Sequence, residues 1–380
     1  MSKHWKEAAS VIIVAKNIFS RNGNTICKKN IPLKNSVNQN SEVGERYVDT
    51  CNYNVLMLKR SSTSSFMPDT CVFPGGNTDS ADSSKEWLDL FMQNGIQESA
   101  FNNFTSKKSN VIDTFESNKE SELLKSVSLR ITGIRETFEE SGILLCKSKH
   151  AHPKSNNSKW GCFISGHEVQ TWQKKVQQNA NDFISLCKHF ECYPDIWSLK
   201  EWSNWLSPNY FPKRFNTMFF LVNLDQMPPT TCDTDEVNEF KWSSPHEIVD
   251  SCNKQELILP PPQYYELSRL ITFNDIEKLA DFAVQKNSSS SDLWMPFRIK
   301  TSDGEVTLFP GDDLYPATPN YASGPTQKVK KTLKELREES NLLHRMEHTK
   351  TCSARLIIKN ISFSENQIIP QVTSSHRCKI

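Results

Sequence analysis

Apolar residues recur along this chain with two periods, and each period predicts a different kind of element. Continuous apolar runs of strand length cover residues 8–15, 53–58 and 217–222, as expected for buried strands. Ile131, Ile134 and Phe138 are instead spaced by three and four, which predicts the buried face of a helix. The same spacing predicts helices at 85–92 and 166–187. We also expect helices at 266–270, after a run of prolines, at 276–284, and at 328–344, where basic residues alternate with acids. We expect the strands to form a central sheet, and we expect 143–145 to be a short buried strand after the 131–138 helix.

The opposite face of the 131–138 helix carries carboxylates. Glu136, Glu139 and Glu140 fall within roughly a quarter turn of one another at ~100° per residue. Like charges at this spacing repel by a few tenths of a kcal/mol. A hard divalent cation would reverse that repulsion, since Mg²⁺ and Mn²⁺ prefer oxygen ligands. The face is therefore either a solvated acidic surface or a cation site, and Gly142 is suited to end the helix.

The flanking residues favour the cation site. The chain reads RETFEESGI at 135–143 and VFPGG at 72–76. Together these segments resemble the two halves of the Nudix box, G-x5-E-x7-R-E-U-x-E-E-x-G-U, with Thr137 a weak fit at a hydrophobic position. The first half departs from the pattern, because Asp82 stands where the box has glutamate and about 45 residues are inserted before Arg135.

A long insertion at this place is typical of one branch of the superfamily, the acyl-coenzyme A diphosphatases, and this chain resembles that branch. The resemblance implies an α/β (α+β) fold, a Nudix α/β/α sandwich with a mixed central sheet, an insertion inside the box and a C-terminal extension. We expect the Nudix domain at 1–272, with the insertion at about 77–128, and an extension at 273–380 that packs on it. The insertion either shapes the acyl end of a pocket or is a simple surface excursion.

The resemblance also implies a site, with Mg²⁺ or Mn²⁺ as the cofactor. The expected catalytic residues are Arg135, Glu136, Glu139 and Glu140, and the expected metal ligands are Glu136, Glu139, Glu140 and the carbonyl of Gly75. Arg60, Gly76, Lys213 and Arg214 are the expected substrate contacts, because a guanidinium suits bidentate binding of phosphate. The alternative for the three cations is ordinary surface charge beside strands. Glu236 and Glu239 are candidates for a further acid or a general base.

The expected reaction is hydrolysis of the diphosphate of coenzyme A or acyl-CoA to 3′,5′-ADP and (acyl) 4′-phosphopantetheine. Two alternatives stay open at this point. The chain is a Nudix hydrolase of another diphosphate, such as NADH, ADP-ribose or capped RNA, or it is a non-catalytic Nudix-like binding protein. The second alternative is disfavoured because all three box glutamates are present.

Composition gives no general reason to expect a nucleic-acid or membrane partner, and the resemblance implies a small-molecule substrate. With 380 residues and a net charge of +1, the chain has no basic excess to indicate nucleic-acid binding. No apolar run approaches the ~18 residues that span a bilayer. The mean hydropathy of −0.57 suits a core with long polar insertions. The eleven cysteines include no C-x-x-C pair, so free thiols are expected, and a zinc site at Cys187, His189 and Cys192 is not favoured.

The sequence ends in Cys378-Lys379-Ile380, a loose version of the peroxisomal address Ser-Lys-Leu. We therefore expect a peroxisomal protein recognised by an import receptor through this tripeptide. Mitochondrial and cytoplasmic locations are the alternatives.

Overall fold

Two sheets organise the chain. The structure is a computed structural model that describes the following segments: 5–17, 51–104, 123–149, 159–231, 236–286, 293–321, 326–349, 354–363 and 368–370. The strands of these segments are β1 (Lys6–Lys16), β2 (Tyr53–Arg60), β3 (Cys71–Val72), β4 (Gly75–Asn77), β5 (Cys146–Ser148), β6 (Cys192–Pro194), β7 (Lys200–Leu206), β8 (Phe215–Leu224), β9 (Val237–Ser243), β10 (Leu293–Trp294), β11 (Phe297–Lys300), β12 (Gly304–Leu308), β13 (Gln327–Lys328), β14 (Leu343–Thr349) and β15 (Arg355–Lys359). The α-helices are α1 (Glu86–Gln93), α2 (Lys125–Ser141), α3 (His167–Gln178), α4 (Asp182–His189), α5 (Pro245–Asn253), α6 (Pro261–Leu270), α7 (Ile276–Lys286) and α8 (Leu333–Glu338).

The larger sheet is mixed, as expected, and β1 lies near its centre. Its main path runs β10-β7-β8-β1-β2-β3, with β4 paired to β1 and β9 paired to β2. β1 is parallel to β8 and antiparallel to β2 and β4. Side chains alternate across a strand, so Val11 and Ile13 enter one core while Ile12 and Val14 enter the other. Both faces of the sheet are therefore covered.

Helices form the two outer layers. α1, α2 and α4 contribute buried apolar residues to the core on one face, which also contains Val11. α5, α6 and α7 contribute to the core on the other face, which also contains Ile12. The arrangement is an α/β/α sandwich, in agreement with the predicted fold class.

The smaller sheet lies in the C-terminal part and has the order β13-β11-β12-β14-β15. Its residues Met346 and Leu356, and Phe309 directly after β12, pack into the same core as α6 and α7. The sheet is therefore joined to the sandwich by a continuous apolar core. The predicted domain boundary at 272 stays a prediction. Two elements that follow it in sequence contact the larger sheet, because α7 packs on it and β10 pairs with β7.

Several element predictions are confirmed and some are wrong in extent. The three strands and the helices near 85–92, 266–270 and 276–284 are present. The helix predicted at 166–187 is broken between α3 and α4, and the helix predicted at 328–344 is reduced to α8. Residues 143–145 are buried, but the strand begins at Cys146.

Free thiols are found, as expected, at Cys71, Cys146, Cys187, Cys192 and Cys252. The Sγ atoms of Cys146, Cys187 and Cys192 lie within 4.8 Å of one another in the buried core. His189 lies apart from them, exposed, with Nε2 2.8 Å from a carboxylate oxygen of Glu168. Within the described segments no helix combines the length and the apolar character needed to cross a membrane.

Candidate active site

The acidic face of α2 points at the turn that precedes β4. α2 is held against the sheet by Ile131, Ile134 and Phe138, which are fully buried. Its opposite face carries Glu136 and Glu139, whose side chains are each 16% exposed. α2 ends at Gly142, whose φ of 69° is the left-handed conformation that glycine adopts at low cost. The predicted cation face is therefore half-buried in a site and is not a solvated surface.

Arg135 fixes the carboxylates from behind. Its Nη1 lies 2.7 Å from Glu139 Oε1 and 3.0 Å from Glu136 Oε1. Its Nε and Nη2 donate to the two carboxylate oxygens of buried Asp82 at 2.8 and 2.9 Å. Asp82 also accepts from the Thr132 hydroxyl at 2.7 Å. The bidentate pair orients the guanidinium, and the guanidinium orients two of the three glutamates.

The two glycines of the 72–76 segment allow the backbone to meet the acids. β4 pairs with β1, and the Gly75 N–H donates to Glu140 Oε2 at 2.9 Å. A Cβ on Gly75 would lie 2.6 Å from Ser10 Cα, and φ here is 151°. A Cβ on Gly76 would overlap the Glu136 carboxylate, 2.7 Å from its Oε1. Glycine is therefore required for two different contacts, one with β1 and one with α2.

Burial shifts the acids toward their neutral forms. Desolvation raises the pKa of Glu136 to about 8, although the charge of Arg135 opposes it. Desolvation also raises the pKa of Glu139, again against Arg135. The pKa of Glu140 is well above its usual value because of burial and the charge of Glu136, against the Gly75 N–H. The charged form of these buried carboxylates is unfavourable when no cation is bound, so a bound cation would be strongly stabilised.

The acids lie in the wall of a large cavity. Its volume is about 620 Å³, within the range of small-molecule sites. Glu136, Glu139 and Glu140 line it together with aromatic and proline side chains from β8, α6 and the segments around them. The lining of the cavity therefore combines acidic side chains with apolar ones.

Comparison with known proteins identifies the chain. The family model of the NUDT19 Nudix domain matches residues 5–270, and the model of the NUDT19 C-terminal domain matches residues 298–358. The chain belongs to the NUDT19 family of Nudix hydrolases. It is 36% identical over 355 residues to "Acyl-coenzyme A diphosphatase NUDT19" of Xenopus laevis, covering 90% of each chain. It is 34% identical over 302 residues to the human protein of the same name, covering 77% of this chain and 80% of that one. A solved Nudix hydrolase from Alicyclobacillus acidocaldarius aligns with a TM-score of 0.48 and 16% identity, over 74% of this chain and 97% of that chain.

Nudix hydrolases generally need a divalent metal ion, and the residues present fit one. The acids of α2 offer hard oxygen donors, and burial raises the pKa values of Glu136 and Glu140 even though the charges of Arg135 and Arg60 oppose it. Gly75 brings its backbone to the same point, since its N–H reaches Glu140. The structure thus brings the three predicted carboxylate ligands together in the wall of the cavity, whereas the ligand role of the Gly75 carbonyl stays a prediction.

The predicted substrate contacts are only partly brought to the cavity. Arg60 and Gly76 line it, whereas Lys213 is exposed near the rim, with Nζ 3.5 Å from Ser65 Oγ. Arg214 is 3% exposed and is not a lining residue. Its guanidinium donates to the backbone oxygens of Tyr321 and Ser207 at 2.6 and 3.1 Å. This placement gives no support to a phosphate contact by Arg214, which instead joins β8 to the C-terminal part.

The two further candidate acids, Glu236 and Glu239, lie in different places. Glu236 lines the cavity, and its charge raises the pKa values of Glu139 and Glu140. Glu239 is exposed on β9, opposite Lys59 of β2, and is not a lining residue. Of the two candidates, only Glu236 lies at the site.

Sequence reasoning missed the roles of three residues. Asp82 was interpreted only as a departure from the Nudix box. Its position six residues after Gly76, where the box has glutamate, was a signal of its role. Tyr210 and Arg298 line the cavity as well. Arg298 is far from the box in sequence and carried no signal there. Cys378, Lys379 and Ile380 lie outside the described residues.

Proposed function

We propose that the chain is a metal-dependent diphosphatase that hydrolyses the diphosphate of coenzyme A and acyl-CoA. The products are 3′,5′-ADP and (acyl) 4′-phosphopantetheine. The observation that carries the proposal is the cavity lined by the three box glutamates together with aromatic and proline side chains. The names of the relatives in Xenopus laevis and human support the substrate class.

Mg²⁺ or Mn²⁺ is the proposed ion, because both take carboxylate and carbonyl oxygens. When bound, such an ion neutralises phosphate charge and lowers the pKa of a bound water. The reaction adds one water across the phosphoanhydride, so one phosphoryl group gains the hydroxyl and the other leaves as a phosphate.

The chain's own side chains supply position and charge. Glu139 is the proposed acceptor of the water proton, because it lines the cavity and is held by Arg135 at 2.7 Å. Glu140 is held by the Gly75 N–H, which keeps its second oxygen free to act as a ligand. Arg60 provides positive charge beside Glu140 for the phosphate oxygens, since its charge lowers the pKa of that acid.

A product assay tests the proposal. Purified protein with Mg²⁺ or Mn²⁺ is given coenzyme A, medium- and long-chain acyl-CoA, NADH, ADP-ribose and capped RNA. We expect 3′,5′-ADP from the CoA compounds, and we expect Glu140→Gln to reduce turnover by about 10³-fold or more. Glu239→Gln is the matched control and should retain activity, because Glu239 does not line the cavity.

Other outcomes would replace the proposal. Hydrolysis of NADH, ADP-ribose or capped RNA that is faster than hydrolysis of the CoA compounds would support the proposed reaction type and contradict the proposed substrate. Failure to hydrolyse any compound would favour a binding protein. Wild-type turnover by a folded Glu140→Gln variant would contradict the site.

We also propose a peroxisomal location, with an import receptor that binds Cys378-Lys379-Ile380. The support is the likeness of this tripeptide to Ser-Lys-Leu. Expression of the chain fused behind a fluorescent protein should give peroxisomal fluorescence that Lys379→Asp disperses. Mitochondrial or cytoplasmic fluorescence of the unchanged fusion would contradict the proposal.

A further inference from the structure

Two guanidinium groups line the cavity, and they belong to different parts of the chain. Arg60 ends β2 in the larger sheet, whereas Arg298 lies on β11 in the smaller sheet. Among the described residues that line the cavity, these are the two with basic side chains. A substrate that fills the cavity therefore meets positive charge from two directions.

Arg60 lies near the glutamates that line the cavity. Its Nη2 and Nε donate to Ser64 Oγ at 2.6 and 3.1 Å, and Nε also donates to the Phe66 carbonyl. Its charge lowers the pKa of Glu140. This position suits the diphosphate, which must reach the glutamates to be cleaved.

Arg298 reaches the cavity from the smaller sheet. Its guanidinium lies 4.5 Å from the centroid of the Tyr210 ring, and burial raises the pKa of Tyr210 against the charge of Arg298. It pairs across β11 and β12 with Thr307, a second lining residue from the smaller sheet. The smaller sheet therefore contributes directly to the cavity.

Among the described residues, Arg298 makes one long ion pair and leaves a hydrogen-bond donor unused. Its ion pair with Glu305 spans 3.6 Å from Nη1 to Oε2, too long for a good hydrogen bond. Its Nε is buried without a hydrogen-bond partner among the described residues. Stacking on a tyrosine fixes the plane of a guanidinium and leaves its N–H edge open to an anion. The group is thus oriented for a ligand with several acceptor oxygens.

Coenzyme A carries a second anion of this kind, a 3′-phosphate on its ribose that the reaction does not cleave. A phosphomonoester has close to two negative charges at neutral pH and three acceptor oxygens. We propose that Arg298, stacked on Tyr210, forms a phosphomonoester subsite contributed by the C-terminal sheet. The proposal rests on the proposed function, since it assigns the 3′-phosphate of that substrate. It makes Arg298 a specificity-determining residue for compounds with this phosphate.

The test compares coenzyme A with 3′-dephospho-coenzyme A. For wild type we expect a lower KM with coenzyme A. Arg298→Ala should raise the KM for coenzyme A by about tenfold or more, since a charge-assisted hydrogen bond contributes at least that factor. The KM for the dephospho compound and both kcat values should stay unchanged. Arg298→Lys keeps the charge but loses the planar guanidinium, so its KM for coenzyme A should lie between those of wild type and Arg298→Ala.

Lys300→Ala is the matched control. Lys300 lies two residues along the same strand, is exposed and does not line the cavity. Its loss should leave both KM values unchanged. An equal rise in both KM values for Arg298→Ala would overturn the subsite and leave a structural role. Unchanged KM values would also overturn it.

A binding measurement separates failure of the subsite from failure of the proposed reaction. Calorimetry compares 3′,5′-ADP with 5′-AMP, which lacks the 3′-phosphate. Tighter binding of 3′,5′-ADP that is lost in Arg298→Ala supports the subsite even if coenzyme A is not hydrolysed. Hydrolysis of coenzyme A without any preference for the 3′-phosphate would keep the proposed reaction and overturn the subsite.

Discussion

At the scale of single residues, the site depends on two glycines, which have no side chain, as much as on the charged side chains. Gly76 leaves the space that the Glu136 carboxylate occupies, and Gly75 leaves room for β1. The two glycines are adjacent, but their neighbours differ in rigidity. Glu136 is a flexible side chain, whereas the atoms near Gly75 belong to the backbone of a central strand.

Alanine at the two positions should therefore have different effects. Gly76→Ala should displace Glu136, reducing turnover about tenfold or more with little change in the free energy of unfolding. Gly75→Ala should lower the free energy of unfolding by roughly 1–3 kcal/mol, because φ is 151° and the clash is with backbone. Turnover and urea unfolding of both variants test this. Wild-type turnover of Gly76→Ala would contradict the predicted displacement of Glu136.

Asp82 supports the site through Arg135. The two side chains are 1% and 4% exposed and make a bidentate pair. Asp82→Asn leaves the Arg135 charge buried without that partner, so we expect a loss of about 3–5 kcal/mol in the free energy of unfolding. Turnover should also fall, since Arg135 orients Glu136 and Glu139.

Asp82→Glu is the control for Asp82→Asn. It keeps the charge and restores the residue usual in the Nudix box, so it should retain more stability than the asparagine variant. Equal stability of wild type and Asp82→Asn in urea unfolding would show that the pair contributes little.

At the scale of elements, the distance between α2 and β1 positions the glutamates. Gly133 faces the sheet, and a Cβ there would lie 2.9 Å from Val11 Cγ2. The helix can therefore approach β1 closely, which brings its acidic face to β4. Any substitution that lifts α2 from the sheet should move all three acids together.

Gly133→Leu tests the role of this spacing. Leucine favours helix, so propensity alone would stabilise α2, but overpacking should cost roughly 1–3 kcal/mol of unfolding free energy. Turnover should fall as well, because the glutamates move. Gln170→Leu on the exposed surface of α3 is the control for leucine in a helix. Unchanged stability and turnover in Gly133→Leu would mean that the close approach is not required.

The element boundaries show where the sequence was less informative. The apolar spacing of 166–187 continues through a break between α3 and α4, since Val176 and Phe183 enter the same core from both helices. At 328–344 the alternating charges suggested one helix, but β14 begins at Leu343 and pairs with β12 and β15. Local periodicity cannot report such long-range pairing, which outweighs helix propensity.

At the scale of the whole molecule, the C-terminal sheet is part of the same core as the sandwich. His344 of β14 lies buried between Tyr265 of α6 and the Pro310 carbonyl. Its Nδ1 must donate to that carbonyl at 2.7 Å, and Nε2 lies 2.7 Å from the Tyr265 hydroxyl. Burial lowers the pKa of this imidazole, so it is neutral at pH 7 and its Nε2 accepts from the hydroxyl.

This neutral histidine predicts a pH dependence of stability. Burial lowers the pKa of His344 from 6.5 to about 4, against the Pro310 carbonyl. As the pH falls from 6.5 to about 4, the unfolded chain takes up the proton first, so the folded state loses stability. The loss approaches about 3 kcal/mol. Urea unfolding at several pH values should show a smaller dependence for His344→Gln than for wild type.

The control for this prediction is His189→Gln, which removes an exposed histidine. The prediction would be contradicted if His344→Gln and wild type lost the same stability over this pH range.

The sequence by itself determined the parts of this protein that depend on neighbours along the chain. Helical spacing places Glu136, Glu139 and Glu140 on one face, and apolar runs define β1, β2 and β8. Only the tertiary structure decided which distant residues meet these elements. Arg214 and Arg298 are both cations far from the box, yet Arg214 is buried in backbone contacts and Arg298 lines the cavity. The reason is physical: periodicity records which side of an element is buried, whereas contacts between distant segments depend on how whole elements pack.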